Sequence, residues 1–178
     1  MTRGFEDLLI AYPTTPPSDL EILRKVHRHG GAVRLVVDSA EQRACISNAI
    51  SGADRPLPVV LDVDLSLRLA GGRVHVGVRR SPLRTVADVL SRWDAAVALP
   101  AVEVVGLLGY EAQVAGLGDR NPFRHRLTRP LIRWIRSRSV RHAAETRREL
   151  AEAIGRRGDT LQLFNGGGTG SVTYAVRE

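Results

Sequence analysis

Apolar residues gather into five short runs along the chain, separated by polar stretches with helical spacing. The runs are DLLIAY (7–12), VRLVV (33–37), PVVLDV (58–63), VEVVGLLG (102–109) and TLQLF (160–164). Each is rich in Val, Leu or Ile and bounded by turn residues, which predicts strands. The runs are nearly continuous rather than alternating, the pattern of strands covered on both faces. Helices are expected between them. SDLEILRKVHRHG should open on a capping box of Ser18 and Glu21 and close on Gly30. SAEQRACISNAISG repeats the device with Ser39 and Gln42 and ends near Gly52. A third helix begins SPLRTVADVLSRW, with Ser81 as cap and Pro82 at the first helical position. The fourth runs from about Leu127 to Arg157, with Leu127, Leu131, Ile135, Leu150 and Ile154 on its buried side.

Strand and helix thus alternate as βαβαβαβαβ, with about 30 to 50 residues per unit. That order implies a parallel sheet covered by helices, either doubly wound or part of a (β/α)8 barrel. A whole barrel takes about 250 residues, and five strands do not close one. No internal repeat or low-complexity segment interrupts 1–178, so a single domain is expected.

Composition narrows the class. At 178 residues, 43% hydrophobic and 25% charged, the chain reads as soluble and globular. No apolar run approaches the roughly 18 residues of a membrane span, and MTRGFEDLLI lacks the features of a signal peptide, so the cytoplasm is the expected location. The single cysteine, Cys45, rules out an internal disulfide and is expected to pack as a small hydrophobe. A net charge of +7 attracts phosphates and polyanions non-specifically. The basic residues are all arginine except Lys25, a bias that a GC-rich genome produces without any nucleic-acid function. Residues 123–158 hold eleven arginines. A nucleic-acid reader would need base-contacting or stacking side chains there, and only Phe123 and Trp134 are aromatic. A solvated outer helix is the simpler expectation.

Candidate chemistry centres on FNGGGTGS (164–171). Successive glycine N–H groups can converge on an anion, and the loop follows the last strand's carboxyl end, where α/β proteins place ligands. A tight turn without a ligand remains the alternative. It is not a P-loop, since no Lys follows the glycines. It also fits a dinucleotide fingerprint poorly, because Ser171 stands where the third glycine belongs. His27 and His29 would point to opposite sides of a helix and suit its C-terminal carbonyls rather than a metal. His75, His125 and His142 are isolated, and no histidine or cysteine lies at zinc spacing. Asp62 and Asp64 should share a strand face, as an acid/base pair or in a structural, mouth-lining role.

GFEDLLIAYP (4–13), VVDSAEQ (36–42), LDVDLSLRLAGGRVHVGVRRSPLR (61–84), VVGLLGYEAQVAG (104–116) and FNGGGTGS together resemble the alanine racemase N-terminal-domain family, most closely its D-threonine aldolase and D-serine dehydratase branch, including proteins called amino acid deaminase/aldolase. The resemblance implies an incomplete (β/α)8 barrel binding pyridoxal 5'-phosphate (PLP), with the five strands standing for strands three to seven. It places the Schiff-base lysine, strand eight and a metal-binding C-terminal β domain outside this chain. It further implies PLP-dependent lyase chemistry on a small D-hydroxy-amino acid in full-length relatives, no activity in this chain alone, and self-association through open strand edges. By the same resemblance, Gly166, Gly167, Gly168 and Thr169 would grip the cofactor phosphate, with Ser171 a weaker candidate. Arg68 would face the phenolic oxygen, although it falls four residues after Asp64 where many relatives have five. Tyr110 would flank the ring, while Ala112 and Gln113 replace the relatives' usual glycine and histidine. Tyr12 and Asp38 lie at strand ends facing the same mouth, as site, core or capping residues. Lys25 falls on an outer helix. A non-catalytic PLP- or phosphate-binding remnant and an arginine-driven polyanion binder are the alternatives.

Overall fold

The computed structural model describes residues 7–115 and 129–167. Its elements run β1 (Asp7–Ile10), α1 (Pro17–Arg28), β2 (Ala32–Val37), α2 (Ala40–Ala49), β3 (Leu57–Asp62), β4 (Leu67–Leu69), β5 (Val74–Val76), α3 (Val86–Val97), β6 (Val102–Gly109), α4 (Ala112–Ala115), α5 (Arg129–Arg156) and β7 (Leu163–Gly166). Strands β1, β2, β3, β6 and β7 form one sheet in that order, and every neighbouring pair is parallel. A doubly wound sheet reverses its strand order at a switch point. This one progresses in a single direction, and it curls as a partial (β/α)8 barrel.

The two-residue strand period divides the apolar side chains between two faces. Val33, Leu35, Val37, Val59, Leu61, Val104 and Leu107 meet the helices, packing with Leu20 and Leu23 of α1, Ile46 of α2, Val89 and Trp93 of α3, and Ala143, Leu150 and Ile154 of α5. The intervening Val36, Val60, Val105 and Leu108 form a smaller cluster on the opposite face. In β6 the alternation slips where Val59 pairs with Val104 but Val60 pairs with Gly106, a bulge that bends the strand. A Cβ on Gly106 would stand 2.2 Å from the Leu163 carbonyl oxygen. Only glycine lets β7 approach there.

Local signals set some helix starts and not others. Ser39 caps α2 as expected, its hydroxyl accepting from the Gln42 N–H at 3.1 Å. The Ser18–Glu21 box does not form: α1 starts at Pro17 after Pro16, without a side-chain cap, and Glu21 instead binds Arg24 at 2.8 Å. Proline pre-sets the first helical φ, so the helix begins two residues earlier than a serine cap would put it. The third helix starts at Val86 rather than after Ser81, because Thr85 and Asp88 supply a reciprocal capping box. The Ser81 hydroxyl donates to the Asp62 carbonyl at 2.6 Å. The β4–β5 hairpin, which the apolar pattern does not announce, fills the chain between β3 and that cap.

Further expectations shift. The last strand is Leu163–Gly166 rather than 160–164, which brings the first loop glycine into the sheet. Leu150 and Ile154 of α5 are buried, but Leu131 is 59% exposed, and small Ser139 and Ala143 take the inner positions near the middle of the helix. Leu127 lies outside the described residues. Cys45 is exposed on α2 rather than packed. Among the described residues no helix is long and apolar enough to cross a membrane.

Candidate functional site

Parallel strands deliver their carboxyl ends to one rim. There stand Tyr12 beyond β1, Asp38 after β2, Asp62 closing β3, Tyr110 and Glu111 after β6, and Gly166 and Gly167 at the end of β7. A cavity of about 340 Å3 opens among Tyr12, Pro13, Asp62, Val78, Arg80 and Tyr110.

Arg80 organises this cavity. It arrives on the strap 77–80 that follows the hairpin. Its Nε donates to Asp62 Oδ2 at 3.1 Å and its Nη2 to the Ala11 carbonyl at 3.1 Å. The guanidinium carbon lies 5.7 Å from the Tyr12 ring centre and 5.8 Å from that of Tyr110, within cation–π range of both. Asp62 is buried, and its Oδ1 has no hydrogen-bond partner. Burial pushes its carboxyl above the usual range, Arg80 opposes that shift, and the Asp38 charge adds to it. The cavity therefore combines a fixed cation, two aromatic rings and a desolvated carboxylate with one oxygen unused.

Asp64, two residues on, serves the hairpin. Its Oδ1 accepts the Ser66 N–H at 2.9 Å, while Oδ2 faces Arg68 Nη2 at 3.3 Å and Arg84 Nε at 3.5 Å. The two aspartates thus part company where β3 ends. Arg68 sits on β4, paired with Asp64 and apart from the cavity lining.

At the end of β7, buried Glu111 accepts from Arg147 and, at 3.1 Å, from the Gly167 N–H. Arg147 Nη2 also donates to the Gly109 carbonyl at 3.1 Å. A Cβ on Gly166 would come within 2.6 Å of both Arg147 Nη2 and the Gly109 oxygen, and Gly167 has φ +86°. The first two glycines are therefore required, one by close approach and one by its backbone angle. Gly168, Thr169 and Ser171 lie outside the described residues. The Gly167 N–H faces a carboxylate, so this turn accepts an anionic oxygen. A phosphate on the same N–H would have to displace Glu111.

The other candidates stay apart. Lys25 is on α1, largely exposed and 3.5 Å from Glu21. His27 is buried and its Nε2 donates to the Arg55 carbonyl, while exposed His29 donates from Nδ1 to the Lys25 carbonyl at 2.7 Å. The pair diverges as helical spacing requires. Sequence reasoning passed over Arg80. Its signal was the GVRRSP segment, but counting forward from Asp64 reaches Arg68 first, and a hairpin of unknown length hides which arginine returns to the rim.

No protein-family model matches the chain, and comparison with characterised protein sequences gives no match. Solved structures do match. D-threonine aldolase from Filomicrobium marinum superimposes with a TM-score of 0.68 at 18% identity, over 96% of this chain and 40% of that one. D-threo-3-hydroxyaspartate dehydratase from Delftia sp. HT23 gives 0.57 at 18% identity, over 96% and 39%. Alanine racemase from Bacillus anthracis gives 0.57 at 12% identity, over 94% and 34%. The likeness is one of fold, and the chain spans two fifths or less of each of these proteins.

Proposed function

We propose that this chain forms the cofactor-facing wall of a PLP-dependent enzyme of D-threonine aldolase or D-serine dehydratase type, acting on a small D-hydroxy-amino acid in the cytoplasm. The observation that carries this reading is Arg80, held by Asp62 and Ala11 between the rings of Tyr12 and Tyr110. The cavity fits the ring part of such a cofactor: it offers aromatic and apolar walls from Tyr12, Tyr110, Pro13 and Val78, with one fixed cation. The phosphate end fits less fully, because Glu111 holds the Gly167 N–H, leaving Gly168, Thr169 and the displacement of Glu111 to complete it.

When bound, PLP supplies an electron sink for bonds at the amino acid's α-carbon. The chain's own residues bind and orient. Arg80 holds a permanent positive charge against an anionic ring oxygen. Tyr12 and Tyr110 flank the ring, and Pro13 and Val78 offer it apolar contact. Asp62 fixes Arg80 through Oδ2 and leaves Oδ1 as an acceptor. Covalent attachment in this chain would fall to its one lysine, Lys25, which stands on an outer helix.

That position favours a second reading, a non-catalytic binder of PLP or phosphate. Both readings predict reversible binding without a covalent bond. Incubation with PLP and borohydride, followed by mass spectrometry, should give no stoichiometric pyridoxyl adduct. One adduct per chain at a single site would overturn that expectation. The β1 edge, with Leu8 45% and Ile10 37% exposed, is the proposed route of self-association, which sedimentation should reveal as a concentration-dependent mass.

A further inference from the structure

The strap bearing Arg80 is held at two points. At its far end the Ser81 hydroxyl binds the Asp62 carbonyl. At its near end Gly77, with φ +134°, lies against two buried polar side chains. A Cβ there would stand 2.7 Å from Ser66 Cβ, 3.1 Å from Ser66 Cα and 2.9 Å from Gln113 Oε1. Gln113 comes from α4, beyond β6, and its Nε2 donates to the Leu65 carbonyl at 2.7 Å. Gln113 is 5% and Ser66 4% exposed. Neither Gln113 Oε1 nor Ser66 Oγ has a hydrogen-bond partner. Leaving buried polar atoms unpaired costs stability that an apolar side chain would not. Packing alone does not explain a glutamine here.

We infer that Gln113 is a positioning residue: with Gly77 and Ser66 it clamps the start of the 77–80 strap and so sets the place of Arg80 over the cavity. The amide ties α4 to the segment after β3, and the absent Cβ of Gly77 lets the strap pass between them. Two residues separate Gly77 from Arg80, and the Arg80 N–H donates to the Val78 carbonyl at 3.1 Å, so this tight turn carries a shift at Gly77 to the guanidinium rather than absorbing it. Arg80 in turn depends on alignment, because its Nε and Nη2 bonds reach acceptors from two different strand ends. Gln113 therefore acts on ligand binding through Arg80 and not by touching the ligand. This inference rests on reading Arg80 as the cation of the cofactor site.

The test uses the whole chain and two readouts. The first is exchange of the Arg80 Nε–H proton with solvent, followed by nitrogen-15 NMR without any ligand. Gln113→Ala should speed that exchange by about ten-fold, while backbone amides of β3 and β6 keep their protection. Unchanged Arg80 exchange would overturn the clamp, as would equal loss of protection throughout β3 and β6. Gly77→Ala should act in the same direction, and if it fails to fold Gln113→Ala carries the test alone. The second readout is PLP titration of wild type, Gln113→Ala, Arg80→Ala and the double variant. The double variant should bind no more weakly than Arg80→Ala, whereas additive losses would overturn action through Arg80. If wild type does not bind PLP, the proposed function falls, and the exchange measurement still decides whether the clamp exists.

Discussion

The helix-covered face of the sheet and the rim at its strand ends are built from different materials. On the covered face, the large apolar cluster from Leu20 to Ile154 dominates, and the buried polar side chains of the helices there, His27, Gln42, Arg43 and Ser139, include no carboxylate. At the rim, Asp62, Asp64 and Glu111 are buried carboxylates, each facing an arginine that is less buried than itself. Burial of apolar surface stabilises without regard to direction. Buried ion pairs contribute little net stability but fix geometry. The first region makes the fold, and the second spends little on the fold and determines what it presents.

The contrast is sharpest in truncations. Leu61→Ala on β3, fully buried under the helices, should cost about 3 to 4 kcal/mol in denaturant unfolding. Its neighbour Asp62 should behave differently. The raised carboxyl shows that burial outweighs the attraction of Arg80, so Asp62→Asn should change stability by less than about 1 kcal/mol while weakening PLP binding about ten-fold. Equal stability losses at the two positions would erase the distinction. At the capping box of α3, Thr85→Ala should cost about 1 kcal/mol.

Acid titration gives a finer comparison. Asp62 has a folded pKa raised above 3.8, so the stability it confers is fully present below that value and lost as pH rises through the folded pKa. Asp88 is the opposite: N–H groups of Thr85 and Arg84 lower its pKa below 3.8, so its contribution is present above 3.8 and lost as pH falls through the folded pKa. Unfolding free energies of wild type, Asp62→Asn and Asp88→Asn at closely spaced pH should therefore diverge in opposite directions. Parallel curves would contradict the burial assigned to Asp62.

The same division explains what could be read from the sequence. The five strands and the α2 cap follow from apolar runs and local spacing, and the structure keeps them with shifts of a few residues. Helix starts failed where two signals competed, as when Pro17 pre-empted Ser18 and the Thr85–Asp88 pair displaced Ser81. The collinear motifs include Tyr110, which lines the rim cavity. They did not single out Arg80, because its partners Asp62, Ala11, Tyr12 and Tyr110 are contributed by three strand ends, and the intervening hairpin leaves no periodic trace. Gln113 stood out only as a departure from the relatives. Its bond to the Leu65 carbonyl joins residues 48 positions apart, a pairing that no local pattern encodes.

Arg68 and Arg80 give the most direct test of this account, since both lie in one motif and only Arg80 lines the cavity. PLP should be titrated into wild type, Arg80→Ala and Arg68→Ala, with binding followed by quenching of Tyr and Trp fluorescence. Arg80→Ala should lose at least about ten-fold in affinity, and Arg68→Ala should bind as wild type does. The reverse ranking, or equal losses, would contradict the assignment of Arg80 as the cation of the site.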